Sequence, residues 1–231
     1  MLKGATMNKF EKITLLASYG LNTTEMFLLK KNEENKWNDA LEFINKHNGA
    51  SIRTFADDEA ILTPHKPNLD LSEATNQAKE LMNKYNVILT ERINPNFALC
   101  AGKVSVVKEG IRPNFSYELS MGSGSVVRDV DKRPRSELFC FSVSTLQDIV
   151  NLRNILGEKR FVMSGGNDVF SFIDEEVEKL VDGLKFAQAE MVTTKFYNHI
   201  FEMSVYSIEI GKKQLPVIFW ECYSKDSLSK V

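Results

Sequence analysis

The stretch IFEMSVYSIEIGKKQLPVIFWECY, residues 200–223, holds two apolar runs on either side of a polar turn at Gly211-Lys212-Lys213. Two runs rich in β-branched and aromatic residues, joined by a turn that contains glycine, are typical of a β-hairpin. We therefore predict strands over residues 200–208 and 216–223. This hairpin is predicted to close the sheet of the C-terminal half.

Outward from the hairpin, helical and extended patterns mix along the chain. Apolar side chains recur with a period near 3.6 over residues 174–196, which predicts the longest helix, capped by Asp174. Further helices are predicted over 8–19, 35–47, 71–85 and 144–156, and further strands over 24–29, 51–55, 87–93, 97–107, 115–120, 137–143 and 160–163. The segment with Pro64, His65 and Pro67 is predicted to be an irregular loop, because proline removes a backbone donor.

The order of these elements predicts the fold class. It lacks the strict alternation of strand and helix that is typical of a doubly wound parallel sheet. We predict an α+β protein with mixed or antiparallel sheets flanked by helices. Two lobes are predicted, over residues 1–90 and 91–231, and the second lobe ends in the closing hairpin.

Composition narrows the class of protein. The chain has 231 residues, of which 43% are hydrophobic and 26% charged, as in a folded globular protein. Its net charge of −2 argues against a nucleic-acid partner, which usually meets a basic surface. No apolar run approaches the roughly 20 residues of a membrane helix, and the N-terminus lacks the apolar core of a signal peptide. We therefore expect a cytoplasmic protein without membrane contact.

The cysteines and histidines give weaker signals. Cys100, Cys140 and Cys222 are widely spaced and form no CxxC pair, so we expect free thiols in place of a zinc site. Each of His47, His65 and His199 lacks a neighbour that would complete a nucleophilic triad. His65 is either an acid–base group or an ordinary surface histidine.

Two further segments could contact phosphate. Gly122-Ser123-Gly124 would let a backbone approach a phosphate closely, although it matches neither a Walker loop nor GxGxxG and equally suits a tight turn. The basic residues downstream suit either a polyanion contact or a solvated loop. They are Arg128, Lys132, Arg133 and Arg135.

The strongest chemical signal is the pair of carboxylates in the closing hairpin. Glu202 and Glu221 each interrupt an otherwise apolar strand, and a hairpin brings facing side chains within reach of each other. Two adjacent carboxylates resist joint ionisation unless a cation lies between them. Mg²⁺ prefers oxygen ligands and often takes one or two carboxylates with phosphate oxygens. The pair therefore predicts a magnesium site, the alternative being that both glutamates face solvent on an edge strand.

Arg53 is the second chemical signal. It lies near the end of the strand predicted over residues 51–55, where its planar guanidinium could bind phosphate oxygens in a fixed direction. The alternative is a structural salt bridge with Asp57 or Asp58.

Four stretches, taken in order, resemble the ATP-grasp superfamily, in particular the nucleotide-binding domains of phosphoenolpyruvate synthase and pyruvate phosphate dikinase type enzymes. The first is an opening helix with a Tyr-Gly-Leu turn, the second a strand with an arginine, the third a strand joining two lobes, and the fourth a long helix followed by two acidic strands. They are KITLLASYGLNTT at 12–24, SIRTFADDE at 51–59, VILTERI at 87–93, and Phe201-Glu202 with Phe219-Trp220-Glu221.

The resemblance implies a two-lobed fold that uses ATP and Mg²⁺, in a ligase or phosphotransferase whose acceptor is a small molecule or a protein. It implies that Arg53 contacts phosphate and acts in catalysis, and that Glu91 lies near the adenine. It also implies that Glu202 and Glu221 bind the metal.

Some features depart from the family pattern. Glu221-Cys222-Tyr223 stands where Glu-x-Asn is common, so one metal ligand is missing or replaced. The stretch after Arg53 lacks the serine pair of the synthases, and these residues include neither a separate substrate-binding domain nor a phosphohistidine domain. The chain is therefore expected to depend on a partner chain or a second copy, or to bind nucleotide without turnover. The alternative function is a non-catalytic nucleotide-binding or protein-interaction domain on a degenerate α+β fold.

Overall fold

The computed structural model of this chain describes residues 7–56, 63–109, 112–121, 139–143, 151, 161–162, 169–170, 174–194 and 199–224. The chain divides into two compact units. The first comprises Met1–Thr14 and Thr24–Pro95, and the second Leu15–Thr23 and Asn96–Val231. The first helix, α1 (Lys9–Ser18), runs from one into the other.

The first unit is a four-stranded antiparallel sheet with two helices. Its strands run in the order β1-β4-β2-β3. In chain order the elements are β1 (Met26–Leu29), α2 (Trp37–Lys46), β2 (Ala50–Phe55), β3 (His65–Leu69), α3 (Leu71–Met82) and β4 (Asn86–Thr90).

Burial alternates along β2, and this alternation sets which side of the sheet holds the core. Ala50, Ile52 and Thr54 are buried, whereas Arg53 lies on the other side and is half-buried. The buried side chains of β2 pack with those of α2, α3 and β4 into one apolar cluster. A period of two along a strand always separates its faces in this way. Arg53 is therefore held on the face turned away from the helices.

The segment predicted to be a loop contains strand β3, so that prediction is wrong. Proline lacks an N–H donor and is tolerated at the edge of a sheet or at an irregularity. Both conditions hold for Pro67, since β3 is an edge strand and its pairing with β2 is irregular between Ala50 and Ile52. His65 lies opposite Arg53 in this pairing.

The second unit is built on a five-stranded antiparallel sheet in the order β11-β10-β5-β6-β7. A separate two-stranded sheet pairs β8 (Phe161–Val162) with β9 (Val169–Phe170). The other elements are β5 (Ala98–Glu109), β6 (Arg112–Met121), β7 (Phe139–Val143), α4 (Asp174–Thr194), β10 (His199–Ile210) and β11 (Leu215–Ser224).

Helix α4 covers one face of the large sheet. Its side chains Leu180, Leu184 and Ala187 are fully buried and belong to the same apolar cluster as Phe201 and Phe219 of the hairpin. The two phenylalanine rings meet edge to face with centroids 5.9 Å apart. Burial of aromatic rings in this geometry contributes both area and a favourable ring contact.

The contact between α4 and the hairpin requires a glycine. A Cβ placed on Gly183 would lie 2.3 Å from Val205 Cγ1. The helix therefore approaches β10 more closely at this point than any larger residue would allow.

Residues 15–23 are tied to the second unit through Asn22, whose side chain is fully buried. Its Nδ2 donates hydrogen bonds to the carbonyls of Ile210 at 2.9 Å and Val217 at 2.7 Å. Its Oδ1 accepts from the backbone N–H of Lys213 at 2.8 Å, and its own backbone N–H donates to Glu190 Oε2 at 2.7 Å. The Asn22 side chain thus bonds to backbone groups on both sides of the hairpin turn and holds its own segment against that turn.

The hairpin turn encloses this segment from the other side. Lys213 Nζ pairs with Glu190 Oε1 at 2.5 Å and also donates to the carbonyl of Gly20. Gly211 has a φ of +77°, and a Cβ there would lie 2.8 Å from Asn22 Oδ1. Only glycine combines that left-handed conformation with such a close approach.

The structure confirms the α+β class, and every strand pairing among the described residues is antiparallel. The hairpin, its turn, the long helix and the first three helices are confirmed within a few residues. Of the predicted elements, the Gly122–Gly124 turn lies outside the described residues, and so does the helix over 144–156 except for residue 151, which is helical. No described helix is both long enough and apolar enough to cross a membrane.

Candidate functional site

Glu202 and Glu221 lie directly opposite each other in the pairing of β10 with β11. A β-bulge produces this alignment. Along β11, Phe219 pairs with Met203 and Glu221 with Glu202, so Trp220 is the extra residue. Bulges are frequent beside functional sites, where they redirect side chains. Without the extra residue, Glu202 would face Trp220, and the two carboxylates would not meet.

Tyr223 connects the two carboxylates. Its hydroxyl lies 2.5 Å from Glu221 Oε2 and 3.3 Å from Glu202 Oε1. Tyr223 follows Glu221 by two residues, so both side chains emerge on one face of the strand. Glu221 is 5% exposed and Glu202 is half-buried. The phenol O–H satisfies one carboxylate oxygen where water is largely excluded.

Trp220 supports the same face from within the bulge. Its indole Nε1 donates to Ser204 Oγ at 2.9 Å. Ser204 itself is buried and lies two residues beyond Glu202 on β10. This hydrogen bond fixes the indole of the extra residue against the neighbouring strand.

The charged row continues across two more strands. Lys103 on β5 lies opposite Glu202, and Glu118 on β6 lies opposite Lys103. Directly opposed residues of antiparallel strands share a face, with Cβ atoms about 5 Å apart. Glu221, Glu202, Lys103 and Glu118 therefore form a row on the sheet, in which Lys103 and Glu118 are exposed.

The row suits a hard divalent cation at one end and an anion beside it. Like charges directly opposite each other destabilise a sheet, and a cation between the two glutamates would remove that cost. Two carboxylates are the oxygen set that Mg²⁺ commonly takes from a protein together with phosphate. Among the described residues no cluster of three or more Asp, Glu, His or Cys side chains forms a full metal cage. The residues present therefore fit a magnesium ion that also takes ligands from a bound anion or water.

Arg53 and Glu91 lie in the first unit, on neighbouring strands or just beyond them. Arg53 pairs with Ile88 of β4, three residues before Glu91. Glu91 is tied to β1, since its Oε1 accepts from the backbone N–H of Glu25 at 3.2 Å and its own N–H donates to the Glu25 carbonyl at 3.1 Å. Arg53 thus lies on a face of the sheet. Glu91 lies just after β4, where it is hydrogen-bonded to the backbone of Glu25.

Two cysteine side chains lie in the part of the chain that the structure describes, with Cys100 buried and Cys222 half-buried. Cys100 and Cys222 are free, and burial raises the pKa of each to about 12. A thiol with such a pKa is protonated and unreactive at neutral pH. The basic residues 128–135 and the side chain of Cys140 lie outside the described residues.

Sequence reasoning missed Lys103 and Glu118 of the row, and also the contact that Tyr223 makes with both glutamates. Lys103 lies in an apolar strand and has no motif, so only the register with β10 shows that it neighbours Glu202. Tyr223 was noticed as a departure from Glu-x-Asn, but its contact with both glutamates depends on the bulge at Trp220. A bulge of this kind leaves no signal in composition.

Comparison with known proteins gives distant similarities. No family model and no curated protein matches the sequence. A RiPP-associated ATP-grasp ligase from Chryseobacterium gregarium, solved with ADP and a leader and core peptide, is similar over 94% of this chain and 51% of its own, with 12% identity and a TM-score of 0.41.

Two other solved structures are similar at the same level. D-alanyl-alanine synthetase A from Vibrio cholerae matches over 94% of this chain and 55% of its own, with 9% identity and a TM-score of 0.42. ACD1 from Ca. Korarchaeum cryptofilum, in complex with coenzyme A, matches over 92% and 89%, with 12% identity and a TM-score of 0.45. This chain spans about half the length of the first two proteins. Similarities this distant establish neither the family nor the activity of this chain.

Proposed function

We propose that this chain binds ATP with Mg²⁺ and acts as a ligase or phosphotransferase of ATP-grasp type. The observation that supports the proposal is the direct opposition of Glu202 and Glu221 on one sheet face, with Lys103 next in the row. Two carboxylates and an adjacent ammonium suit a magnesium polyphosphate, because the metal neutralises the carboxylates and the lysine neutralises phosphate.

Each residue has a defined part in this proposal. Glu202 and Glu221 would hold the metal, and Tyr223 would orient the Glu221 carboxylate through its O–H. Lys103 would bind a phosphate oxygen as a point charge. Bound Mg²⁺ supplies charge neutralisation on a transferring phosphoryl group. The proposed roles of Arg53 at phosphate and of Glu91 near the adenine are supported by the sequence resemblance alone.

The acceptor defines the narrower form of the proposal. A carboxylate acceptor would give an acyl phosphate, as a ligase requires, and another small acceptor would make the chain a phosphotransferase. Similarity to phosphoenolpyruvate synthase and pyruvate phosphate dikinase type domains, in particular, is part of this more specific proposal and rests on the sequence resemblance.

Tyr223 favours a second candidate function, a non-catalytic nucleotide-binding domain. A protonated phenol is a poorer magnesium ligand than the amide oxygen of the Glu-x-Asn pattern. Its hydroxyl is also engaged with the two carboxylates. A site with fewer metal ligands would bind the nucleotide complex without positioning it for transfer.

Thermal unfolding and ADP formation together test both candidates. Wild-type protein should be stabilised by MgATP, by about 2.7 kcal/mol at a ligand concentration of 100 times Kd. Glu202→Gln and Glu221→Gln should abolish that stabilisation, and Glu118→Gln, on the same face but beyond Lys103, should retain it. ADP formation with a pool of carboxylate acceptors, lost in the same two variants, would identify an enzyme.

The outcomes separate cleanly. Stabilisation by MgATP without ADP formation would favour the non-catalytic domain. Stabilisation that persists in both glutamate variants would place the nucleotide elsewhere. The absence of any effect of MgATP on wild-type protein would overturn both candidates and favour an α+β interaction protein.

A further inference from the structure

An open cleft of about 560 Å³ lies in the first unit, between the end of α2 and the start of α3. Its volume is within the range of small-molecule sites. Its neutral lining residues are Leu71 and five polar residues, with amide groups from Asn45, Asn48 and Asn76 and hydroxyls from Ser72 and Thr75. Such a lining offers both donors and acceptors to a hydrated ligand.

A guanidinium is fixed at the edge of this cleft. Arg92 Nε donates to Asn68 Oδ1 at 3.1 Å, and Arg92 Nη1 donates to the Asn48 carbonyl at 3.1 Å. These bonds use two of its five N–H donors. Within the described residues Arg92 makes no ion pair, so the rest of its donor fork remains available to a ligand.

The backbone around Arg92 is shaped to hold it. Gly49 has a φ of +124°, and a Cβ there would lie 2.9 Å from Arg92 Cδ and 2.2 Å from the Leu69 carbonyl. Asn48 and Asn68, the two residues that accept from the guanidinium, also have left-handed φ angles of 50° and 52°. Asn48, Gly49 and Asn68 all have positive φ angles, which are uncommon. This backbone conformation brings both acceptors to the Arg92 side chain.

The same cleft holds one carboxylate. Asp70 caps α3, where its Oδ1 accepts from the backbone N–H of Glu73 at 2.9 Å. Its second oxygen accepts no hydrogen bond from the residues that the structure describes. Asp70 and Arg92 do not form an ion pair with each other, so the lining presents a separate positive and negative group.

We propose that this cleft binds a small zwitterion of amino-acid type, with the ligand carboxylate on Arg92 and the ligand ammonium on Asp70. Arginine matches a carboxylate in a two-point geometry. A multiply charged anion such as phosphate would be repelled by Asp70, and a simple cation by Arg92. A neutral ligand would leave both charges without a partner. The amides and hydroxyls between them would bind the polar body of the ligand.

The site is independent of the magnesium nucleotide proposal, because all its residues belong to the first unit and none is assigned to ATP or metal. Titration with each of the twenty common amino acids, followed by ¹H–¹⁵N correlation spectra of the whole chain, tests it. At least one free amino acid should shift the side-chain amide signals of Asn45, Asn48 and Asn76.

Derivatives of the binding amino acid test the charge assignment. Its N-acetyl form lacks the ammonium and its amide form lacks the carboxylate. Each should bind at least about tenfold more weakly, since each loses one charge-assisted contact. Equal binding of either derivative would contradict the zwitterion, and no shift with any amino acid would overturn the site.

Variants connect the binding to the two charges. Asp70→Asn removes the charge but keeps a good helix N-cap, so weaker binding should come without loss of α3. Arg92→Lys keeps the charge but loses the fork, and should also weaken binding, whereas Arg92→Met should abolish it. Asp39→Asn and Lys84→Met, exposed changes outside the cleft, should leave binding unchanged. Unaltered affinity in both Asp70→Asn and Arg92→Lys would refute the assignment even if Arg92→Met fails to fold.

Discussion

Glu202 faces Glu221 across two neighbouring strands, and the hydroxyl of a single tyrosine reaches both carboxylates. A like-charged pair in this register costs stability unless something shares the charge. The phenol O–H of Tyr223 lies within hydrogen-bond distance of both carboxylates and relieves part of that cost. On the other side of Glu202, Lys103 occupies the directly opposed position of β5.

Tyr223→Phe should lower the free energy of unfolding by about 1.5–3 kcal/mol, the range for a hydrogen bond to a charged group. The loss arises because Glu221, which is almost fully buried, loses the hydrogen bond that the Tyr223 hydroxyl donates to it. Urea denaturation measures the change. Tyr85→Phe, a tyrosine of the first unit, serves as the control, and equal stability of Tyr223→Phe and wild type would show that the bond contributes nothing.

Tyr223→Asn should increase the affinity for Mg²⁺. The amide oxygen is a better ligand for a hard cation than a protonated phenol, and it would join the two carboxylates already in place. Isothermal titration with MgCl₂ measures the affinity. A parallel Tyr223→Leu variant separates the two effects, because it removes the hydroxyl without adding an oxygen. Weaker Mg²⁺ binding by the asparagine variant than by the leucine variant would argue against a metal at this pair.

Asn22→Ala should destabilise the second unit by at least about 3 kcal/mol. The change leaves the carbonyls of Ile210 and Val217 and the N–H of Lys213 without their partner, and each buried unsatisfied group costs about 1–3 kcal/mol. Chemical denaturation followed by tryptophan fluorescence, in a Trp37→Phe background that leaves Trp220 as the one tryptophan of this sequence, measures the loss. Asn38→Ala, at an exposed position of α2, should change little. A loss below about 1 kcal/mol would mean that water replaces the side chain.

Gly183 and Val205 should show coupled effects on stability. Gly183→Ala gains helix propensity of about 1 kcal/mol but places its methyl against Val205 Cγ1, so the net effect should be a loss. Val205→Ala alone should also destabilise, because it leaves a cavity in the core. The double variant should be more stable than the sum of the single changes predicts. Strict additivity in this cycle would show that the helix moves away without cost.

Stability should fall as the pH falls below about 6.5 because of His47. Burial lowers the pKa of His47 in spite of the nearby Glu25, so the unfolded chain takes up the proton more readily. Glu25 adds to the loss below its own ordinary value of 4.5, because a hydrogen bond from Lys46 lowers the pKa of its carboxyl. Thermal unfolding across this pH range should give a flatter profile for His47→Gln.

Glu25→Gln distinguishes burial from pairing at His47. If burial dominates, removing Glu25 lowers the pKa of His47 further and the loss of stability below pH 6.5 persists. A dominant ion pair would instead raise the pKa of His47, so wild-type stability would increase as the pH falls below 6.5 and Glu25→Gln would remove that increase.

The parts of the fold that repeat locally could be predicted from sequence. The helical period of α4 and the two apolar runs around Gly211 are patterns among residues close in sequence. The predicted bounds of this helix and of both hairpin strands agree with the structure within a few residues. Strand β3 was missed because Pro67 suggests a loop, and only its place at the edge of the sheet makes a strand possible there. Whether a strand lies at the edge of a sheet depends on its pairing with strands that are distant in sequence, and the local sequence does not show this pairing.

The candidate site shows the same division. Two acidic residues in apolar strands predicted that Glu202 and Glu221 lie within reach of each other, but their direct opposition depends on the bulge at Trp220. The place of Lys103 in the row needed the register of a third strand, and the reach of Tyr223 needed the bulge at Trp220. The roles of Arg53 at phosphate and Glu91 near the adenine remain predictions from the resemblance, because strand positions alone do not establish ligand binding.

The anchoring of Asn22 has a consequence for synthesis on the ribosome. Its acceptors lie 188 and 195 residues further along the chain, so the segment after the first helix cannot form these contacts until residues 210 and 217 have been synthesised. Until then the buried amide of Asn22 and the carboxylate of Glu190 have to remain in water. A premature stop before residue 217 would therefore leave the segment around Asn22 without the carbonyl of Val217.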